Sequence, residues 1–548
     1  MLRSSVAACA LFALLTTGVT RAADTLLEAA EEGLHDQAMQ LLAGGEDPNL
    51  AGADGTTAVM WASYHGDLEL VDALIEAGAD VTGANVFGTS AITEASIIGH
   101  TAIIEALLAA GADPNFENPE GETPIMAVAR TGRIEAAEAL LAAGANINES
   151  EDWGGQTATM WAAARGNPGM IRFLATNGAE LDARGVVRQW DRKILKEPRP
   201  KDMNKGGFTA LLYAAREGCV ECARALVEAG ADINLADPER VSPLNMALLN
   251  LHFDTAAYLI EAGANVDKWD LFGRSPIYMA ADVSTLPVMG NGAMVVIPSE
   301  DEHTALGIGR MLLEAGADPN IRLKRRPPYR NVPQDRGGDR ILAQGATALL
   351  RAARAGDTAF VELLLEHGAL VDLPSKEGVT PLMAAAGVEF GQRVTRGRNR
   401  TEEGILATLQ VLIDAGADVN AQMIANAGRT FFINGAAMAQ GTTYRARGQQ
   451  VPGPDAVPSN TALHGAAQHG YNSVVELLVN NGADLSIPNS TGALPLDVAM
   501  GEYQEDFRTT QADPLLDTAS LIEQLMAERG IAVPERPASG SGRGGNPL

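Results

Sequence analysis

The chain has 548 residues, of which 46% are hydrophobic but only 5% aromatic, and 58 are glycine. That length exceeds one ordinary domain, and the scarcity of aromatics fits many short, closely packed helices better than one large aromatic core. A formal net charge of −28, from 69 Asp+Glu against 41 Lys+Arg, excludes general binding to nucleic acid or anionic lipid headgroups, which such a surface repels.

Residues 1–22 carry one cation ahead of the apolar stretch (Arg3), an apolar stretch from Val6 to Leu15 and a small-residue end at Thr20-Arg21-Ala22. This is the layout of a secretory signal peptide, and its apolar part is shorter than the ~20 residues of a membrane helix. Cleavage is expected after Ala22. No later stretch is long and uncharged enough to span a bilayer, so no membrane insertion is expected, and the mature chain is placed in the periplasm or secreted. Removing the signal leaves Cys219 and Cys222. With one candidate disulfide at most, the hydrophobic core must hold the fold.

From residue 23 to about 533 one phrase recurs, Gly-Ala-Asp/Asn and its variants. Its glycine stands at Gly45, Gly78, Gly111, Gly144, Gly178, Gly230, Gly263, Gly316, Gly368, Gly416 and Gly482. The uninterrupted intervals are 33 or 34 residues, and each longer one is a period plus an insertion. A second phrase precedes it, as in Thr57-Ala-Val-Met-Trp-Ala, Thr123-Pro-Ile-Met-Ala-Val-Ala, Thr209-Ala-Leu-Leu-Tyr-Ala-Ala, Ser242-Pro-Leu-Asn-Met-Ala, Thr380-Pro-Leu-Met-Ala-Ala-Ala and Thr461-Ala-Leu-His-Gly-Ala-Ala. Thr or Ser caps a helix start, and Pro at the first helical position costs no hydrogen bond. Paired alanines let helices approach closely. A mid-unit glycine (Gly66, Gly132, Gly218) precedes a second amphipathic helix such as Leu68-Glu-Leu-Val-Asp-Ala-Leu-Ile. The final glycine suits the left-handed residue after a helix, and Asp/Asn the turn beyond it.

This pattern strongly resembles the ankyrin repeat, from about Asp24 to about Gly530, in eleven or twelve units. The resemblance implies an all-α repeat solenoid of stacked helix-turn-helix units with projecting turns. It also implies a concave face, made by turn tips and first helices, that binds another protein. The end units, Asp24 to Leu50 and Ala493 to Arg529, lack parts of the phrase and read as caps. Residues 534–548 read as a disordered tail.

Insertions interrupt the pattern in the projecting turns (185–205, 323–343, 423–458) and between the helices of a unit (282–303, 388–403). The three turn insertions and 388–403 hold 20 of the 41 Lys+Arg but 9 of the 69 Asp+Glu. Within the turn insertions, arginine accompanies aromatics at Arg188, Trp190 and Arg192, at Arg325, Arg326, Tyr329 and Arg330, and at Phe431, Phe432, Tyr444, Arg445 and Arg447. That composition is enriched at interface hot spots, so these residues are the candidate partner-binding positions. The alternative is that their charges rest against the acidic scaffold. Thr430-Phe-Phe-Ile-Asn-Gly-Ala-Ala echoes the first-helix phrase, but no amphipathic second helix follows, so 423–458 reads as an insertion or a unit that kept one helix.

Cys219-Val-Glu-Cys222 opens a second helix, where amide dipoles lower a thiol pKa. Cys222 nevertheless takes a core position of the repeat, which favours a packed residue or structural disulfide over a redox catalyst. The histidines are scattered, and His464 and His469 are five apart rather than four, so no metal site is expected. Trp61 and Trp161 hold equivalent first-helix places and read as packing with an exposed edge. No nucleophile elbow, phosphate loop or His-Glu-x-x-His motif occurs, so neither catalytic residues nor a cofactor are expected. The sequence reads as a monomeric, non-catalytic protein-binding scaffold. Its rivals are a thiol redox protein and a structural envelope protein.

Overall fold

The computed structural model describes residues 23–189, 204–284, 289–290, 293–294, 300–325, 327, 341–342, 344–388, 401–426, 431–433, 436–438, 456–490, 492–501 and 514–534. The described chain falls into two units, divided between Val186 and Val187. The first holds five helix pairs, from Leu26–Glu31 with His35–Ala43 to Ala158–Ala164 with Pro168–Thr176. The second holds seven, from Ala210–Glu217 with Val220–Glu228 to Pro495–Ala499 with Leu516–Glu528. Among the described residues, strands form four short antiparallel pairs within the inserted segments or at their bases.

Each helix starts and stops where its residues dictate. Thr157, Thr209, Ser242, Thr347 and Thr380 accept a backbone N–H of the first turn through their hydroxyls. First helices end on a residue in the left-handed region, usually glycine such as Gly132 at φ 73°; Leu251 takes that place at φ 66°. Second helices bury one apolar stripe, such as Leu70, Val71 and Leu74 or Ile103, Ile104 and Leu107. Burying each such side chain contributes roughly 1.5–3 kcal/mol.

Neighbouring repeats are also stitched through asparagine. Asn49 Nδ2 donates to Gly78 O (3.0 Å) while its Oδ1 accepts from Asp80 N (2.7 Å). Asn115 does the same to Gly144 and Asn146, and Asn148 to Gly178 and Glu180. In the second unit Asn320 reaches Gly368 and Leu370, and Asn420 reaches Gly482 and Asp484. The last two span 323–343 and 423–458, so the repeats on either side of each insertion stack directly on one another.

The insertion bases extend the projecting turns as ladders. Val187–Gln189 pairs with Asn204–Gly206, and Ile424–Asn426 with Ala456–Pro458. Phe431–Ile433 pairs with Ala436–Met438. The segment that echoes a first helix is therefore a hairpin, whose β-branched and aromatic residues favour extended backbone. The segment at 282–303 also begins later than its sequence spacing suggests, because the helix Pro276–Ser284 carries Asp282 and Val283 on its last turn.

Candidate partner-binding face

Two rows of first-helix positions decide what these helices present. The row of Trp61 continues as Glu94, Ala127 and Trp161, and the row of Tyr64 as Ile97 and Arg130. In the first unit Tyr64 is 52% exposed and Ile97 53%, with Ile98 beside it at 41%, while Trp61, Glu94, Trp161 and Arg130 are half-buried and Ala127 is buried. The turn tips of this unit add Phe87 (69%) and Trp153 (70%). Trp153 is held outward by a turn built on the buried Glu151 carboxylate, which accepts from the backbone N–H groups of Trp153 (2.6 Å), Gly154 (2.7 Å) and Gln156 (3.0 Å).

Trp61 stands edge-on to Tyr64 at 5.8 Å and stacks on His65 at 6.2 Å. Arg130, ion-paired with Glu122, lies 4.8 Å above the Trp161 ring, whose Nε1 is buried without a hydrogen-bond partner. Glu94 is half-buried on the same helix as Ile97, and desolvation raises its carboxyl pKa. The two tryptophans thus pack as expected while keeping an accessible edge. The surface they join is apolar and aromatic, with one partly desolvated acid.

The same rows close in the second unit. Tyr213 still shows an edge, with Arg216 4.7 Å over its ring and Phe208 at 5.5 Å. Beyond it Met246 is 7% exposed, Asp282 4%, and Arg351 and Arg354 are fully buried. Arg351 Nε donates to Asp282 Oδ1 at 2.6 Å and Arg354 Nη1 to Val388 O at 3.1 Å.

Of the residues singled out by composition, Arg188 lies in the ladder opposite Lys205, and Arg325 is exposed with its N–H donating to Phe272 O (3.0 Å). Phe431 and Phe432 lie on the hairpin strand, their side chains outside the described residues. Trp190, Arg192, Arg326, Tyr329, Arg330, Tyr444, Arg445 and Arg447 lie outside the described residues, as do the signal-like residues 1–22. The exposed Tyr64, Phe87, Ile97, Ile98 and Trp153 were not among the expected positions. Their signal is legible: each is a large apolar residue at a repeat position that no core contact requires.

Cys219 and Cys222 are joined by a disulfide. Cys219 is the N-cap of Val220–Glu228, and its Sγ accepts from Cys222 N at 3.1 Å. In the equivalent place Asp67 Oδ1 accepts from Leu70 N, also at 3.1 Å. The sulfur therefore stands where another repeat has a capping carboxylate, and Cys222 is fully buried where that repeat has Leu70. Among the described residues no cluster of three or more His, Cys, Asp or Glu could hold a metal, and no helix is long and apolar enough to cross a membrane.

Family models confirm the repeat. Ankyrin repeats (3 copies) match residues 26–118, 94–185 and 307–423, ankyrin repeats (many copies) match 211–260, and a single ankyrin repeat matches 459–490. The chain belongs to the ankyrin repeat family. It is 28% identical over 281 residues to human ankyrin repeat and SOCS box protein 16, covering 47% of this chain and 51% of that protein. It is 27% identical over 216 residues to the putative ankyrin repeat protein YahD of Escherichia coli, covering 38% of this chain and 95% of that one. The putative palmitoyltransferase ZDHHC13 of Danio rerio is 27% identical over 226 residues, which are 41% of this chain and 26% of the relative. The chain thus spans about a quarter of that relative and half of the human one. The crystal structure of the human ASB11 ankyrin repeat domain aligns with 44% of this chain and 98% of its own, at 25% identity and a TM-score of 0.37. Every family model matched is an ankyrin repeat, and none is a catalytic domain. Ankyrin repeats imply a protein-binding role.

Proposed function

We propose that this ankyrin protein is an exported, non-catalytic scaffold that binds a partner protein through the turn tips and first helices of its first unit. One observation carries the reading. The first-helix row that is fully or nearly fully buried at Asp282 and Arg354 in the second unit is open at Tyr64 and Ile97 in the first. Rigid aromatic and branched side chains on a pre-ordered stack bind with little loss of conformational entropy. The partly desolvated Glu94 supplies an acceptor inside that apolar field. Export is supported by the signal-like residues 1–22 and by the Cys219–Cys222 disulfide, which an oxidising compartment preserves.

The test compares the wild-type chain with the triple variant Tyr64→Ser/Ile97→Ser/Ile98→Ser as bait in an extract of the source cells, with bound proteins quantified by mass spectrometry. One protein recovered stoichiometrically by the wild type and lost by the variant, at unchanged helicity, is the expected result. Identical recoveries would remove this face from the interface, and no partner with either bait would favour a structural envelope role. Fractionation with N-terminal sequencing of the mature chain tests export, which requires a first residue of Ala23.

A further inference from the structure

The second unit carries a different surface at its projecting turns. The tip at 237–241 passes to the tip at 270–274 through Leu271 N donating to Glu239 O (2.8 Å). That tip in turn holds Lys324 and Arg325, whose N–H groups both donate to Phe272 O, at 2.9 and 3.0 Å. Trp269 stands beside this junction, half-buried, with Arg240 Cζ 5.3 Å and Lys324 Nζ 5.8 Å from its ring centroid. Arg240, Lys324 and Arg325 are all exposed, and none makes an ion pair among the described residues.

Two of the three acids of these turns are occupied, and the third, Glu239, is half-buried with its Oε1 out of water. Asp237 accepts from its own turn at Glu239 N and Val241 N, and the buried Asp270 pairs with Arg274 at 2.6 Å while accepting from Phe272 N. Arg240 and Lys324 thus flank one indole, with Arg325 exposed next to Lys324, on a chain whose net charge is −28. At physiological salt the repulsion from acids more than about 8 Å away is screened, so the local charge governs contact.

The backbone marks the same place. Arg240 sits at φ 64°, in the left-handed region, with its N–H donating to Asp237 O. In the equivalent turns the residue that closes this hydrogen bond is glycine, as at Gly88, Gly121, Gly273 and Gly378. A side chain there is strained, and the fold needs none, since glycine serves the equivalent tips at Gly88, Gly121, Gly273 and Gly378. What the arginine adds is a guanidinium over Trp269.

We infer that Arg240, Trp269, Lys324 and Arg325 form a second docking site, specific for an acidic, Asp/Glu-rich peptide segment of a protein partner. The cations meet carboxylates, and the indole, polarised by the cations, packs against the segment's aliphatic stems. The site rests on the reading of the chain as a binding scaffold, but it lies on other residues and is tested with a defined probe.

The experiment measures binding of fluorescein-labelled oligoglutamate to the full chain by anisotropy, alongside thermal unfolding. Wild type should bind with an affinity that falls as salt rises. Arg240→Gly should weaken binding about tenfold or more while leaving the melting temperature unchanged or higher, because the glycine relieves backbone strain. Lys324→Ser/Arg325→Ser should weaken it similarly without altering helicity. Absence of oligoglutamate binding, or wild-type affinity in Arg240→Gly, would overturn the site. Stronger competition by inorganic polyphosphate than by unlabelled oligoglutamate at equal charge would reassign it to phosphate ligands. Loss of binding in Tyr64→Ser/Ile97→Ser/Ile98→Ser would also refute it, since those residues belong to the first unit alone.

Discussion

Removing the Asp282 carboxylate tests the account of the closed face most directly. The Arg351 side chain is 0% exposed and the Asp282 side chain 6%. Asp282 provides Oδ1 at 2.6 Å from Arg351 Nε and its backbone O at 3.2 Å from Nη2, while Nη1 has no partner. Asp282→Ala would leave a guanidinium out of water with no counter-ion, a loss of about 3–5 kcal/mol. Adding Arg351→Met removes the stranded charge and fills its volume with an apolar chain. The double variant should therefore recover most of the loss, since a buried ion pair and a well-packed apolar substitute are often equivalent. A repeat stack need not unfold in one step, so the readout is hydrogen exchange of the helices Pro276–Ser284 and Ala348–Ala355 across a urea series. A single variant that loses less than about 1 kcal/mol, or a double variant no better than the single, would refute the claim that Asp282 compensates Arg351.

Three further outcomes are expected. His464 is buried in its neutral form, with Nδ1 accepting from Thr461 N (3.1 Å) and Nε2 donating to Ala493 O (3.2 Å), and desolvation lowers its pKa from 6.5 to about 4. Because the folded value is the depressed one, the contribution is complete above pH 6.5 and lost as pH falls toward 4, roughly 3 kcal/mol in all; His464→Gln, which keeps the capping geometry, should flatten the stability profile in that window. Gly345 and Gly368 both have positive φ, 88° and 85°, but a Cβ on Gly345 would meet Lys376 N at 2.6 Å and one on Gly368 meets nothing within 4 Å. Gly345→Ala should thus destabilise more than Gly368→Ala, the latter costing about 1 kcal/mol, and equal effects by urea unfolding would show that the turn contact is slack. Cys219→Asp/Cys222→Val replaces the sulfur cap by a carboxylate and the buried sulfur by a β-branched side chain, and should retain both the melting temperature and partner recovery; loss of partner recovery with the fold intact would revive a thiol-based function.

The helix pairs were legible because each repeat carries its own punctuation. Thr or Ser at the N-cap, glycine after the helix and asparagine in the turn act within a unit or on the next one, so sequence spacing suffices to place them. Asn420 reading Gly482 across 423–458 shows how local the rule remains even when an insertion intervenes. The candidate face was less legible. Tyr64 and Arg354 hold the same repeat position with opposite burial, and nothing in the 33-residue pattern says which face another segment closes. Basic composition drew attention to Arg325, which is exposed at a turn tip, but not to Arg240. Its signal, a non-glycine where the turn takes φ near 64°, was present in the sequence as Glu239-Arg240-Val241.

The first-helix rows can vary so widely because the stack does not depend on them. Helix spacing is set by fully or nearly fully buried alanines such as Ala62, Ala95, Ala129 and Ala163, and repeats are joined by the asparagine stitches on the opposite side of the unit from the mid-unit glycine. A row freed from packing can carry tyrosine and isoleucine facing water in one unit and an arginine–aspartate pair sealed from it in the other. An exposed apolar row costs solubility without adding to the core, and a sealed ion pair contributes less than the apolar contacts it displaces. Neither arrangement is what stability alone would select. On the proposed function a partner covers the open row; the sealed row fixes the position of Val388, whose carbonyl Arg354 holds at 3.1 Å beyond the end of the Pro381–Ala386 helix.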